Sequence, residues 1–265
     1  MDYKLVAVDL DRTLLHTDGT ISPYTKEMVK KCRDAGVGFT LATGRMYCSA
    51  QPFAESLHLD LPLITYQGAL VKDLNGKVIS SLHLDADLAL QVEEYLRQTG
   101  AHYTIYSDED MYFSTFGQLF LDYAHHIGVK PKMVPQRMGQ LEVTQFGVFA
   151  EPETIRIIKR QIDHVFQGKV KTVVSGGHFL EICHPMAKKS HGLQQLAEQM
   201  GIRQEEIVAV GDNNNDLDMI EYAGLGVAVD NALPAVKHIA NHITTSNDDD
   251  GVARLLREVL QKQTR

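Results

Sequence analysis

The stretch Lys4-Leu5-Val6-Ala7-Val8-Asp9-Leu10-Asp11-Arg12-Thr13-Leu14 decides the fold. Its first half is a continuous apolar run rich in β-branched residues, the pattern of a strand buried on both faces of a parallel sheet. Its second half places two carboxylates where that strand must stop. A second stretch, Ile207-Val208-Ala209-Val210-Gly211-Asp212-Asn213-Asn214-Asn215-Asp216, repeats the arrangement near the other end of the chain. Ligand sites in open α/β sheets form at the carboxyl ends of parallel strands. Two acidic strand ends therefore predict one shared site.

The residue types point to phosphorus chemistry. A phosphate dianion repels a carboxylate, and Mg²⁺, which takes a few carboxylates plus water and phosphate oxygens, removes that obstacle. Asp9 is then placed to act as nucleophile through an aspartyl-phosphate. Asp11, two residues on, is placed to act as general acid and base. Asp212 supplies a metal ligand from the other strand. A lone Asp-x-Asp is often a helix cap or a solvated turn, so the pairing of the two strand ends carries the reading. A calcium loop opening at Asp212 is set aside, because it needs Gly at its sixth position, where Leu217 stands.

Two further segments extend the constellation. Val37-Gly38-Phe39-Thr40-Leu41-Ala42 reads as a buried strand ending in Thr43-Gly44-Arg45, whose hydroxyl and backbone N–H can bind a phosphoryl oxygen. Lys188-Lys189 opens a helical pattern (Leu193, Leu196, Ala197, Met200) closed by Gly201. Lysine at a helix start opposes the macrodipole, which favours a functional role for one of the two over a solvated surface position.

In chain order, these four segments resemble the four motifs of the haloacid dehalogenase (HAD) superfamily phosphatases. Asp9-Leu10-Asp11-Arg12-Thr13-Leu14 is similar to the family's DxDGTL, and Thr43-Gly44-Arg45 to its Thr-Gly-Arg. Lys189 matches its motif-three lysine, with Leu193 where KGxAL has Leu, and Gly211 through Asp216 resembles GDxxND. Gly224 through Ala232, and Ser246-Asn247 through Gly251-Val252, resemble the Cof-type members. The resemblance covers essentially the whole chain. Four positions depart from the family pattern: Arg12 replaces Gly, Gln67 replaces the Asn of an Asn-Gly-Ala, Ser190 replaces Gly, and Asp230 replaces Gly.

The resemblance implies the following roles. Asp9 is nucleophile and metal ligand. Asp11 is acid/base and ligates Mg²⁺ through its carbonyl. Asp212 is the third ligand, and Asp216 orients ligands and water. Thr43, the N–H groups of Leu10 and Gly44, Lys189 and Asn215 contact the transferring phosphoryl group. The implied fold is α/β: a doubly wound, Rossmann-like parallel-sheet core with an inserted α+β cap of type II, subclass B. The core is expected over residues 1–83 and 186–265, and the cap over 84–185.

Composition agrees. The 265-residue length suits two domains, and 44% hydrophobic with 23% charged residues is ordinary for a globular protein. A net charge of −8 argues against a nucleic-acid surface. The three cysteines, Cys32, Cys48 and Cys183, are odd in number and scattered, as expected in a reducing cytoplasm. No apolar stretch is long enough to span a membrane, and Met1-Asp2-Tyr3-Lys4 leads into a strand with no signal-peptide pattern.

The remaining pattern predicts a helix from the Ser22-Pro23 cap to Gly36, a helix over 46–57 and a strand over 63–66. A hairpin is expected at Asn75-Gly76. Within the insert it predicts helix 86–99, strands near 102–106 and 111–114, helix 117–127 and strand 143–150. Helix 153–166 follows, with strands near 170–174 and 179–183. His125-His126 lacks further spaced ligands and reads as structural. Asn247 through Asp250 reads as an N-terminal cap for the helix 252–260. Gly176-Gly177 reads as a turn, and residues 175–181, with His178, Phe179 and Glu181, are the expected leaving-group segment.

Competing readings differ by single features. A receiver domain has no large insert, and a P-type ATPase needs membrane helices. A haloacid dehalogenase lacks the second aspartate, Asp11. A phosphomutase, or a non-catalytic metabolite sensor on the same fold, stays open as the alternative. The expected function is Mg²⁺-dependent hydrolysis of a small phosphorylated metabolite such as a sugar phosphate, with no nucleic-acid or membrane partner.

Overall fold

The Leu5–Val8 run pairs in parallel on both sides, with Ile207–Gly211 and with Gly38–Leu41. In this computed structural model, which describes residues 2–107, 109–115, 117–126, 129–135, 138, 141–175 and 177–263, the five-stranded parallel sheet has a single order. It runs His242–Ile243, Leu225–Ala228, Ile207–Gly211, Leu5–Val8, Gly38–Leu41. All four residues of Leu5–Val8 are buried, as a central strand covered on both faces requires. Register aligns Val8 with Val210 and with Leu41. The three strands therefore end within one residue of each other, and Asp9, Asp212 and Thr43 leave the sheet at the same edge.

The helices follow their end signals. Ser22 accepts from the Thr25 N–H at 3.0 Å and opens Pro23–Asp34 with proline in the first turn. Gly201, with φ +64°, closes Lys189–Met200. Pro23–Asp34 packs on Gly251–Gln263, and Lys189–Met200 packs on Leu217–Tyr222. The predicted strand over 63–66 stops one residue early, as Leu63–Thr65, because Tyr66 and Gln67 take left-handed backbone. Leu63–Thr65, Leu70–Lys72 and Val78–Ser81 form a small antiparallel sheet, joined to the parallel one by an Ala42–Ile64 bridge. The Asp73 carboxylate holds the Asn75-Gly76 turn by accepting from the Asn75 and Lys77 N–H groups.

Two compact units emerge, Met1–Ser81 with Lys188–Arg265, and Leu82–Ala187. The fold is α/β with an inserted α+β unit. The second unit is a six-stranded sheet ordered Lys171–Ser175, Phe179–Cys183, Val143–Phe149, His102–Ser107, Asp110–Phe113, Pro131–Met133. Helices Ala86–Thr99 and Pro152–Val165 supply Val92, Leu96, Ile155 and Ile162 to a core with Tyr103, Ile105, Phe146, Val148, Leu180 and Ile182. Each such aliphatic burial is worth about 1.5–3 kcal/mol. Alternation turns Thr104, Gln145 and Glu181 to the opposite face of the sheet. The Pro131–Met133 strand carried no sequence signal, being three residues with one proline and one lysine. Of the features singled out in the sequence, Gly176 and the side chain of His126 lie outside the described residues.

The Asn247–Asp250 segment, which precedes the Gly251–Gln263 helix, also reaches far along the chain. Asp248 accepts from Thr17 N–H and Oγ1, both at 2.7 Å. Asp250 accepts from Ser22 Oγ at 2.5 Å, and its carboxylate lies 3.1 Å from His16 Nε2. These carboxylates tie down the polar segment after the first acidic turn. Local spacing could not show this, since the partners lie more than 220 residues away.

Candidate active site

After Val8 the chain makes a wide turn, in which the Leu14 N–H donates to Asp9 O and the Leu15 N–H to Leu10 O. Arg12 sits in this turn with φ +61°, the conformation a glycine there would adopt freely. Its carbonyl accepts from Asn231 Nδ2 at 2.8 Å. Asn231 Oδ1 in turn accepts from the Asn247 N–H, and Asn247 Nδ2 donates to Leu15 O. Two asparagines distant in sequence thus clamp the turn that carries Asp9 and Asp11.

Asp9, Asp212 and Asp216 are buried, and each offers an oxygen within 4.8 Å of the other two. Lys189, fully buried, reaches into the group with Nζ 2.5 Å from Asp9 Oδ1 and 2.6 Å from Asp216 Oδ1. Lys188 is exposed. Asp216 also accepts from the Asp212 and Asn213 N–H groups, both at 2.9 Å. Gly211 leaves the space that the Asp216 carboxyl occupies, since a Cβ there would lie 2.5 Å from Asp216 Cγ. Thr13 Oγ1 donates to Asp212 Oδ1 at 3.3 Å, and Arg12 Nε lies 3.9 Å from Asp212 Oδ2.

The electrostatics show a group short of positive charge. Burial raises the Asp9 carboxyl well above its ordinary range, and Asp216 and Asp212 push the same way against Lys189. Burial, then Asp216, pushes Asp212 up to about 6, opposed by Arg12, Lys189 and Thr13. Burial disfavours charge on Lys189, but Asp216 and Asp9 overcome it and hold the ammonium charged. Three buried carboxylates face one buried ammonium. Uncompensated buried charge is costly, and an oxygen-only donor set of this kind fits a hard divalent cation such as Mg²⁺.

The other expected residues fall around this group. Thr43, buried, accepts through Oγ1 from the Arg45 N–H at 3.1 Å. Asn215 Nδ2 donates to Gln67 Oε1 at 3.1 Å. Leu10 is buried in the acidic turn, and Gly44 lies under the Gln67 amide. Asp11 stands apart. Its carboxylate is 53% exposed and takes a two-pronged bond from Arg45, 2.8 Å from Nε and 2.6 Å from Nη2. The Arg45 guanidinium also lies over the Phe53 ring, 5.1 Å from its centre. The carboxylate cluster contains Asp216 where the resemblance has the Asp11 carbonyl. Among the described residues, this is the one such cluster of potential ligands, and His125 is not part of it.

Sequence reading assigned no role to Thr13, Arg45, Gln67 or Asn231, and placed Asn247 only in a helix cap. Thr13 and Arg45 stood inside quoted motifs, and Gln67 was marked as a departure. The two asparagines stood inside the Cof-like segments.

Residues 6–256 match the sequence profile of the haloacid dehalogenase-like hydrolases. The chain belongs to this family. A related HAD protein, the 5-amino-6-(5-phospho-D-ribitylamino)uracil phosphatase YitU of Bacillus subtilis, is 32% identical, covering 96% of each chain. The putative phosphatase YxeH of the same organism is 30% identical over 97% of this chain and 98% of its own. Among solved structures, TM0651 from Thermotoga maritima superposes with a TM-score of 0.86 at 30% identity, covering 97% of both chains. The HAD core and inserted unit are thus shared along the full length. No helix among the described residues is long and apolar enough to cross a membrane.

Proposed function

We propose that this chain is a Mg²⁺-dependent phosphatase that hydrolyses small phosphorylated metabolites through an aspartyl-phosphate on Asp9. The observation that carries the reading is the buried Lys189 ammonium held between Asp9 and Asp216. A buried lysine this close favours the ionised Asp9 carboxylate against its burial, holds it in place, and can shield the oxygens of an incoming phosphoryl group.

The balance of the reaction is simple. An Asp9 oxygen attacks phosphorus as the ester P–O bond breaks, and Asp11 gives its proton to the leaving oxygen. Asp11, now a carboxylate, takes a proton from water. The water oxygen attacks phosphorus, the P–O bond to Asp9 breaks, and inorganic phosphate leaves. Asp11 must first part from Arg45, a loosening that a half-exposed ion pair permits at small cost. Asp9 and Asp212, with the Asp11 carbonyl that the HAD resemblance supplies, would hold Mg²⁺. The bound ion supplies charge neutralisation for an anionic ester meeting an anionic nucleophile. Thr43, the Gly44 and Leu10 N–H groups, Lys189 and Asn215 would bind the phosphoryl oxygens, a task of positioning and electrostatics.

Leaving-group choice is assigned to the inserted unit, residues 84–185 by motif, since the four motifs account only for the phosphoryl group. Its sheet carries Glu181, buried, accepting from Gln145 Nε2 at 3.2 Å and Ser175 Oγ at 3.1 Å. Gln145 Oε1 is buried without a hydrogen-bond partner. An acceptor left over beside a carboxylate suits a leaving group rich in hydroxyls or N–H groups. The name of the YitU relative gives one such substrate, a phosphorylated ribitylamino-uracil, and sugar phosphates share that chemistry.

The test is phosphate release from p-nitrophenyl phosphate with and without Mg²⁺, followed by a panel of phosphorylated metabolites. Single-turnover labelling should leave phosphorus on Asp9. Turnover with no labelled protein, or full activity in chelator, would overturn the mechanism.

A further inference from the structure

Two consecutive non-glycine residues, Tyr66 and Gln67, take left-handed backbone at φ +50° and φ +57°, followed by Gly68 at φ +89°. Neither side chain favours that region, and such outliers persist only where the surroundings impose them. The surroundings here are the proposed phosphoryl site. The Tyr66 N–H donates to Arg45 O at 3.0 Å and the Gln67 N–H to Thr43 O at 3.1 Å. Gly68 abuts the other side, since a Cβ there would stand 2.0 Å from Lys188 O and 3.1 Å from Lys189 N. This turn is wedged between the strand end that carries Thr43 and the helix start that carries Lys189.

The Gln67 side chain, 2% exposed, completes the wedge. Its Oε1 accepts from Asn215 Nδ2 at 3.1 Å. Its amide lies on Gly44, where a Cβ would come within 2.3 Å of Nε2 and 2.9 Å of Cδ. A side chain at position 44 would therefore displace the Gln67 amide, and Asn215 is oriented by that amide. A carboxamide turns freely about its last bond unless a partner fixes which end points where. With Nδ2 committed to Gln67, the direction of the Asn215 side chain is set.

We infer that Gln67 is a positioning residue, fixing the Asn215 carboxamide and the Gly44 strand end at the phosphoryl-binding side of the site. The assignment rests on the phosphatase reading above. Side-chain length matters to it, since the backbone at 67 is locked and the amide reaches both Gly44 and Asn215 at once.

The experiment uses Gln67→Met, which keeps length and bulk and removes the acceptor, with Gln67→Leu as a second apolar variant should the first fold poorly. Asn215→Ala and the double variant complete a cycle. With p-nitrophenyl phosphate and Mg²⁺, Gln67→Met should lose about tenfold in kcat with KM nearly unchanged, the mark of an interaction made in the transition state. Its melting temperature should stay close to that of the parent protein. The double variant should be no worse than Asn215→Ala alone. Orthovanadate, a phosphoryl mimic, should bind about tenfold more weakly to Gln67→Met by calorimetry. Losses that multiply in the double variant, or an unchanged kcat in a folded single variant, would overturn the inference. A parent protein that binds vanadate without turnover would overturn the phosphatase reading and leave the vanadate cycle to decide Gln67. A parent that does neither would overturn both.

Discussion

Lys189 Nζ stands 2.5 Å from Asp9 Oδ1, joining two buried residues 180 positions apart in the chain. The pair organises the site, because the same ammonium also reaches Asp216 at 2.6 Å.

Asp9→Asn should fold and fail to turn over. The amide is nearly isosteric and its oxygen can still accept from Lys189, but it cannot attack phosphorus. A loss of at least ~1000-fold in kcat, about 4 kcal/mol, is expected with little change in melting temperature. Activity within tenfold of the parent protein would remove Asp9 from the nucleophile role.

The two lysines separate cleanly. Lys189→Met strips the buried carboxylates of their counter-ion, so stability should fall by about 3–5 kcal/mol, as when one partner of a buried pair is lost. Its kcat/KM should fall at least ~1.4 kcal/mol, or tenfold, further than that of Lys188→Ala. Equal losses at the two positions would count against Lys189 as the phosphoryl partner.

Metal should act on stability as well as on rate. EDTA is expected to abolish turnover and Mg²⁺ to restore it better than Ca²⁺, which favours longer bonds and more ligands. Mg²⁺ should also raise the melting temperature in a concentration-dependent way, as any ligand of the native state does. Asp212→Asn should blunt that rise, and an equal rise in this variant would place the ion elsewhere.

Acid should weaken the fold through Glu206. Hydrogen bonds from Arg203, then from Lys4, hold its carboxyl down to about 2, with Lys4 Nζ 2.7 Å from Oε1. A folded-state value below the unfolded one, about 4.3, means stability that is complete above that unfolded value and lost as pH falls towards the folded one. The melting-temperature gap between the parent protein and Glu206→Gln should hold steady from pH 7 to about 5 and close between about 4.3 and 2. A gap unchanged at pH 2.5 would show that Glu206 contributes through packing alone.

Substitution at Glu181, Gln145 or His178 should reorder preference among phosphorylated metabolites. Hydrolysis of acetyl phosphate, whose leaving group is tiny, should stay within a few fold. The measurement is kcat/KM across a panel. A proportional fall for every substrate, acetyl phosphate included, would mean these residues support the catalytic unit instead.

Much of this protein was legible in its sequence because the signals are local. A short β-branched apolar run such as Leu5–Val8 reads as a strand buried on both faces, and the carboxylates that follow it then emerge at its carboxyl end. Ser22-Pro23, Gly201 and Asn75-Gly76 announce their turns and caps through backbone preferences that each residue carries with it. The acidic strand ends, Thr43 and the lysine pair were visible for the same reason, and the HAD motifs attached roles to them.

Tertiary structure alone decided what required two distant segments to meet. It buried Lys189 against Asp9 and left Lys188 in solvent, a choice no local propensity makes. It set the Asp248 carboxylate on Thr17 and the Asp250 carboxylate on His16 and Ser22. It drew Asp11 onto Arg45, and it forced Tyr66 and Gln67 into left-handed backbone so that one carboxamide could reach Gly44 and Asn215 together. Hydrogen bonds and ion pairs depend on separation in space, and only the folded chain sets that separation.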